Sequence, residues 1–66
     1  MIFSYAKIGE DGDYHPAVVV GGKHYVHKAV YADCEAAMRQ AQSVAEAAER
    51  CLVHFLESNG YKACTP

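Results

Sequence analysis

The chain has 66 residues, a formal net charge of −2 and 52% hydrophobic residues. This length allows one domain with one small core, which buries only about 60% of the unfolded surface and is marginal without a partner or a cross-link. The hydrophobic fraction excludes a disordered chain. The weakly acidic balance argues against broad electrostatic capture of nucleic acid, although a local basic patch can still bind it.

The cysteines do not form an obvious disulfide framework. There are three of them, and no CxxC pair is present. Cys34 and Cys51 would lie roughly 25 Å apart along one helix, which exceeds the reach of a disulfide. We therefore expect reduced thiols in a cytoplasmic protein. The longest wholly apolar run, Ala17 to Val20, is too short to cross a membrane, and no basic start precedes an apolar segment, so we expect no membrane association.

The first 31 residues predict an antiparallel sheet of three strands. Met1 to Ile8 alternates in polarity as a first strand, and Gly9 to Asp13 has the composition of a turn. Tyr14 to Val20 and Lys23 to Tyr31 are β-rich, and the Gly21-Gly22 pair between them is typical of a two-residue hairpin.

This hairpin gives the predicted sheet two unlike faces once Val20 is paired with Lys23. One face is small and aliphatic and contains Ala17, Val19, Val26 and Val30. The other is larger and aromatic and contains Pro16, Val18, Val20, Tyr25, His27 and Tyr31.

Residues 33–60 predict one long amphipathic helix of roughly 39 Å. Asp33 is a suitable N-cap, Glu35 lies in the first turn, and Asn59 with Gly60 supplies a left-handed stop. The apolar stripe of this helix is rich in alanine at first and bulkier near its end. It contains Cys34, Ala37, Met38, Ala41, Val44, Ala45, Ala48, Cys51, Leu52, Phe55 and Leu56.

The predicted fold is therefore α+β, with a three-stranded antiparallel sheet followed by one long C-terminal helix. We expect a single domain in which residues 1–31 form the sheet, 33–60 the helix and 61–66 a tail that either adds an edge strand or frays. Because a stripe of alanine lets another backbone approach closely, the helix can pack on the sheet or on a second subunit, and we expect a homodimer.

One helix covers only one face of such a sheet. The alanine-rich stripe suits the aliphatic face, so we expect the aromatic face to be exposed as an interaction surface. The reverse assignment leaves a valine and histidine surface outside. The expected partner-binding residues are Tyr5, Val18, Val20, Tyr25, His27 and Tyr31.

No arrangement of residues points to catalysis or to a cofactor. Cys34 would lie at a helix start, where a thiol can be reactive, but it falls on the buried stripe and no oxyanion-binding loop is visible. His24 and His27 are three apart and point to opposite faces of a strand, so they cannot share a metal ion. We expect a protein that is not an enzyme and has no metal site.

Charged residues define two further candidate surfaces. Lys23, His24 and Lys28 interleave basic and aromatic groups and are candidate nucleic-acid contacts, unless the lysines only protect an edge strand. The candidate acidic contacts can imitate a phosphate backbone, although such residues are more often a solvated face. They are Glu10, Asp11, Asp13, Glu46 and Glu49.

The order of three strands and a long helix, with Asp33 before a helix start containing Glu35, Ala36, Ala37 and Ala41, resembles the HicB-type antitoxin domain. The resemblance covers most of the chain and implies a dimeric partner that neutralises an RNA-cleaving toxin. The second half is also similar to a double-stranded-RNA-binding domain. By type, a small acidic protein without an active site resembles the inhibitors made by phages and mobile elements, including anti-CRISPR proteins.

These features predict a non-catalytic binding protein, a small acidic inhibitor or regulator of a larger protein or nucleoprotein partner. The alternative is a HicB-like antitoxin or an RNA-binding module that uses the hairpin from Lys23 to Lys28.

Overall fold

The computed structural model describes residues 2–47 and 52–64 of the chain. Its elements are β1 (Ile2–Ile8), β2 (Tyr14–Val20), β3 (Lys23–His27), α1 (Cys34–Ala47), α2 (Leu52–Ser58) and β4 (Tyr61–Cys64). The strands form one antiparallel sheet in the order β1-β2-β3-β4. The α+β class predicted from the sequence is confirmed.

The two glycines between β2 and β3 form the predicted hairpin. Gly21 and Gly22 have φ angles of 55° and 85°, a left-handed conformation that side chains with a Cβ rarely adopt. Val20 pairs with Lys23 and Val18 with Tyr25, which confirms the predicted register. Below, this end of the sheet is called the hairpin end. The opposite end, where the segment from Gly9 to Asp13 connects β1 to β2, is called the turn end.

The sheet has four strands rather than three, because part of the predicted tail forms β4. Gly60 has a φ of 89° and reverses the chain directly after α2, so that Tyr61 pairs with His27. A side chain at position 60 would also crowd His27, since a Cβ there would lie 3.0 Å from the ring Nε2. Residues 65–66 of the tail lie outside the described residues.

The single long helix predicted over residues 33–60 is only roughly matched, since the described residues form two helices, α1 and α2. Residues 48–51, which include Glu49, lie outside the described residues. The predicted N-cap is confirmed, because the Asp33 carboxylate accepts a hydrogen bond from the Glu35 N–H at 3.3 Å. Helix α1 packs on β1 and β2, and α2 packs on β4. Neither described helix is both long and apolar enough to cross a membrane.

The core lies between the helices and the face of the sheet that carries Val18 and Tyr25. These two side chains are buried, at 0% and 4% exposure, and they cluster with Ala41, Leu56 and Tyr61. We call this the helix-side face. The expectation that the aromatic face would be exposed is therefore wrong, and the reverse assignment holds.

The reason for the reversal is the volume of the side chains in the two layers. Helix α1 buries Ala37 and Ala41, which reach only a short way from the helix backbone. A well-packed interior leaves few voids, so the sheet must supply the bulk that α1 lacks. Valine and tyrosine side chains can fill this space, whereas a face centred on Ala17 cannot.

The hydroxyl of Tyr61 gives the core a testable pH dependence. The side chain is 2% exposed, and the hydroxyl has no hydrogen-bond partner among the described residues. Burial, with a smaller contribution from Tyr31, raises the pKa of Tyr61 from 10.0 to about 12. Since the neutral form is favoured in the folded state, this contribution to stability is complete below pH 10 and is lost as the pH rises towards 12.

We therefore predict that Tyr61→Phe reduces the alkaline loss of stability. Between pH 10 and pH 12 the variant should lose less of its free energy of unfolding than the wild type, by on the order of 1–2 kcal/mol. Urea titrations at several pH values measure this difference. Parallel curves for the two proteins over that interval would show that the hydroxyl is not buried in this way.

Candidate binding surface

The sheet face that points away from the helices carries the candidate site, and we call it the open face. Residues directly opposite one another in a sheet share a face, so the register identifies its members. They are Phe3, Tyr5, Lys7, His15, Ala17, Val19, His24, Val26 and Lys62. Aromatic groups concentrate at the hairpin end of this face, and basic groups lie towards the turn end.

An aromatic pair crosses the open face near the hairpin end. The Tyr5 hydroxyl and the His24 Nδ1 are hydrogen-bonded at 2.9 Å, and the two rings meet edge to face with centroids 5.8 Å apart. The pair spans β2, where Ala17 is fully buried although it lies on the open face. Phe3 stands beside this pair and is 56% exposed. The result is a fixed aromatic surface that is accessible from solvent.

A shallow groove of about 260 Å³ lies at the turn end, and we call it the basic groove. Its lining includes three lysines, two histidines and one valine. These are Lys7, Lys28, Lys62, His15, His27 and Val26. Among the described residues no carboxylate side chain lines the groove or lies on the open face.

His15 fixes the segment that carries Lys28. Its ring Nδ1 is 3.1 Å from the carbonyl oxygen of His27 and 3.0 Å from that of Ala29. Because carbonyl oxygens only accept, the proton must be on Nδ1, and His15 donates to both. The His27 Nδ1 in turn accepts from the Ala29 N–H at 2.9 Å. The backbone on both sides of Lys28 is thereby held against the sheet.

Charge is unevenly distributed over the molecule. All four lysines are on the sheet or next to it, whereas most described carboxylates lie on the helices or at the start of α1. Three other carboxylates, of Glu10, Asp11 and Asp13, lie in the turn close to the basic groove but do not line it. The net charge of −2 therefore conceals a face that is locally basic.

Of the six partner-binding residues predicted from the sequence, only Tyr5 lies on the open face. Val18 and Tyr25 are in the core, and Val20 packs against it. His27 meets the buried ring of Tyr61 edge to face, with centroids 4.9 Å apart. Tyr31 is half-buried and exchanges backbone hydrogen bonds with Tyr14, each 2.8 Å long. By register, Val18, Val20, Tyr25 and His27 lie on the helix side of the sheet, and of these His27 also lines the basic groove.

The three hairpin residues proposed as nucleic-acid contacts do not lie together. His24 is on the open face, but Lys23 pairs with Val20 on the helix side at the hairpin end. Lys28 lies in the basic groove, roughly 17 Å further along the strand direction. Phe3, Lys7 and Lys62, which lie on the open face, were not among the predicted contacts. The alternation of β1, with no acidic residue on its outer side, was the signal for Phe3 and Lys7, whereas Lys62 lies in the segment predicted to be a tail.

The other residues considered in the sequence analysis, an acidic candidate on α1 and the thiol at its start, do not lie on the open face. Glu46 lies on α1, and Cys34 is half-buried at the start of that helix. No group of three or more histidine, cysteine or acidic side chains is arranged to hold a metal ion in the described part of the chain. His24 and His27 lie on opposite faces of β3, as predicted.

Comparisons of this chain with protein-family models, with curated proteins and with solved structures found no match. The resemblance to HicB-type antitoxin domains stays a prediction.

We predict that His15 supports the fold through its two carbonyl bonds. His15→Ala should lower the free energy of unfolding by about 1–2 kcal/mol, because two half-buried carbonyls lose their donor. The control is His24→Ala, whose single bond is exposed and should cost about 0.5 kcal/mol or less. Urea unfolding followed by circular dichroism compares the two variants. Equal losses would contradict the proposed role of His15.

Proposed function

We propose that this protein is a non-catalytic binding protein whose open face holds a single-stranded nucleic acid, either free or as part of a nucleoprotein complex. The observation that carries the proposal is the combination of exposed aromatic rings and a carboxylate-free lysine groove on one face of a four-stranded sheet.

The aromatic half of the open face supports base stacking. Phe3 offers an exposed ring, and Tyr5 is held in place by His24. Unpaired bases stack on aromatic side chains of such sheets, two or three bases at a time, and the contact tolerates any sequence because every base has a flat face. A ring that is fixed before binding loses little conformational entropy when the base arrives.

The basic half supports contacts with phosphates. Lys28 and Lys62 line a groove next to the aromatic half, and the segment of Lys28 is held by His15. A strand whose bases stack at the hairpin end can therefore place its backbone near these ammonium groups. With at most three lysines in contact, the binding should be weak, with a dissociation constant of roughly 1–100 µM at moderate salt.

A protein partner is the second candidate, and the 56% exposure of Phe3 favours it. An acidic and apolar protein surface would meet the same rings and lysines. In either case the protein would act as an inhibitor or regulator by occupying a surface that its larger partner needs. The two candidates differ in how binding depends on salt.

We predict that the double variant Lys28→Gln/Lys62→Gln weakens the binding of a labelled single-stranded oligonucleotide. In a plot of the logarithm of the association constant against the logarithm of the salt concentration, the slope should also become less steep by about 1.4. Each phosphate contact on a single strand contributes about 0.7 to this slope. Fluorescence anisotropy measures both effects. The salt concentration is varied from about 25 to about 200 mM, because contacts with phosphates respond to salt in this range. Neither lysine lies on β1, so this test is independent of what happens at that edge of the sheet.

A matched control has the same change in net charge. Lys23→Gln/Arg39→Gln removes two positive charges away from the open face, where Arg39 pairs with Glu35 on the exposed side of α1. It should leave the salt dependence unchanged.

Phe3→Ala should weaken binding roughly tenfold with the slope retained, because stacking is not electrostatic. Equal effects of both charge variants, or the absence of binding at 25 mM salt, would overturn the proposal in favour of a protein partner.

A further inference from the structure

The two edges of the sheet differ in how well they are protected. Strand β4 has four residues, whereas β1 has seven and lies at the other edge. A long edge strand presents a row of unpaired backbone N–H and C=O groups, and soluble proteins usually interrupt such a row with proline, a bulge or several charges. Strand β1 contains no proline, and its only charged residue is Lys7.

Exposed apolar side chains accompany this edge. Ile2, Phe3 and Ile8 are exposed by 45%, 56% and 68%, although β1 contributes to the same sheet that buries Val18 completely. Such a combination of an open backbone edge and apolar side chains is typical of a surface that pairs with another strand.

The sequence of β1 is complementary to itself in one antiparallel register. A two-fold axis through Tyr5 pairs all seven residues of the strand with those of a second copy. Ile2 then faces the Ile8 of the copy on the helix side, and Phe3 faces its Lys7 on the open face, where an ammonium group over an aromatic ring is favourable. Other registers either leave several of these residues unpaired or bring Lys7 against its own copy.

A hollow beside the edge fits this arrangement. An open hollow of about 350 Å³ on the helix side is lined by Ile2 and Ser4 of β1 and by Gln42, Ala45 and Glu46 of α1. In the register centred on Tyr5, the Ile8 side chain of the copy arrives next to Ile2 at this hollow. Two exposed isoleucines would thereby be covered on each side of the symmetry axis.

From these observations we propose that two copies of the chain associate through antiparallel pairing of their β1 strands, centred on Tyr5, to form a continuous eight-stranded sheet. An interface of this type is isologous, because each copy contributes the same residues. The two open faces would then lie side by side on one surface. This inference does not rest on the proposed function.

Charge exchange across the predicted pairs tests the register. Phe3→Lys places a second positive charge opposite Lys7 at both symmetric positions, so the dissociation constant of the dimer should rise at least tenfold. The double variant Phe3→Lys/Lys7→Glu restores opposite charges and should return the constant to within about threefold of the wild type. Lys62→Glu, on the other edge strand, is the control and should have no effect. Sedimentation equilibrium distinguishes one chain of 7.2 kDa from two, and circular dichroism checks that each variant is folded.

Hydrogen exchange of the wild-type protein provides a second measurement that needs no variant. Amides of β1 should exchange more slowly at about 500 µM than at about 5 µM, while those of β4 should not change. A wild-type protein that stays monomeric at the higher concentration would overturn the proposal. So would a dimer that is insensitive to Phe3→Lys, or one whose concentration-dependent protection lies on the helices rather than on β1.

Discussion

The packing of a thin helix against a sheet determines most of what this protein can do. Helix α1 buries Ala37 and Ala41, so its axis comes close to the sheet and the remaining space must be filled from the other layer. Val18 and Tyr25 fill it, together with Leu56 of α2 and Tyr61 of β4. A chain of this length has one core and little surplus stability, and it cannot pack both faces of its sheet. The choice of the helix-side face therefore also selects the open face.

The open face combines groups that would be costly to bury. Lysine side chains stay in water unless they are paired, and the exposed hydrogen bond between Tyr5 and His24 suits a surface rather than a core. The basic groove continues this surface towards the turn end, where His15 holds the backbone beside Lys28. Carboxylates lie mainly on the other layer of the molecule. Because of this separation of charge, a protein with a net charge of −2 has one face that is locally basic.

Local features of the fold could be predicted from the sequence because each depends on a few neighbouring residues. The hairpin needs two residues with positive φ, which Gly21 and Gly22 provide, and its register then follows from the strand alternation. The N-cap at Asp33 has a similarly local origin. The sequence left two alternatives for the residues that form β4, an edge strand or a frayed end. Four residues carry too little periodicity to distinguish between them.

The assignment of the sheet faces failed because it depends on side-chain volumes across two layers. Matching small residues with small residues placed Ala17 against the alanine-rich helix, whereas a packed core needs small residues opposite large ones. The candidate site was displaced with it, since residues on one strand alternate strictly between faces. Tyr5 was among the predicted contacts and lies on the open face, whereas Phe3 and Lys62 were not predicted, because their exposure on this face depends on which face the helices cover.

The most direct test of this account is a nuclear Overhauser experiment on the isotope-labelled protein, which reports which side chains lie within about 5 Å of the Ala41 methyl group, a distance typical of packed neighbours. The account predicts cross-peaks from Ala41 to Val18 or to the ring of Tyr25, with which it shares the core cluster. Cross-peaks from Ala41 to Ala17 or Val26 would contradict it, because the helix would then cover the face that we assign to binding.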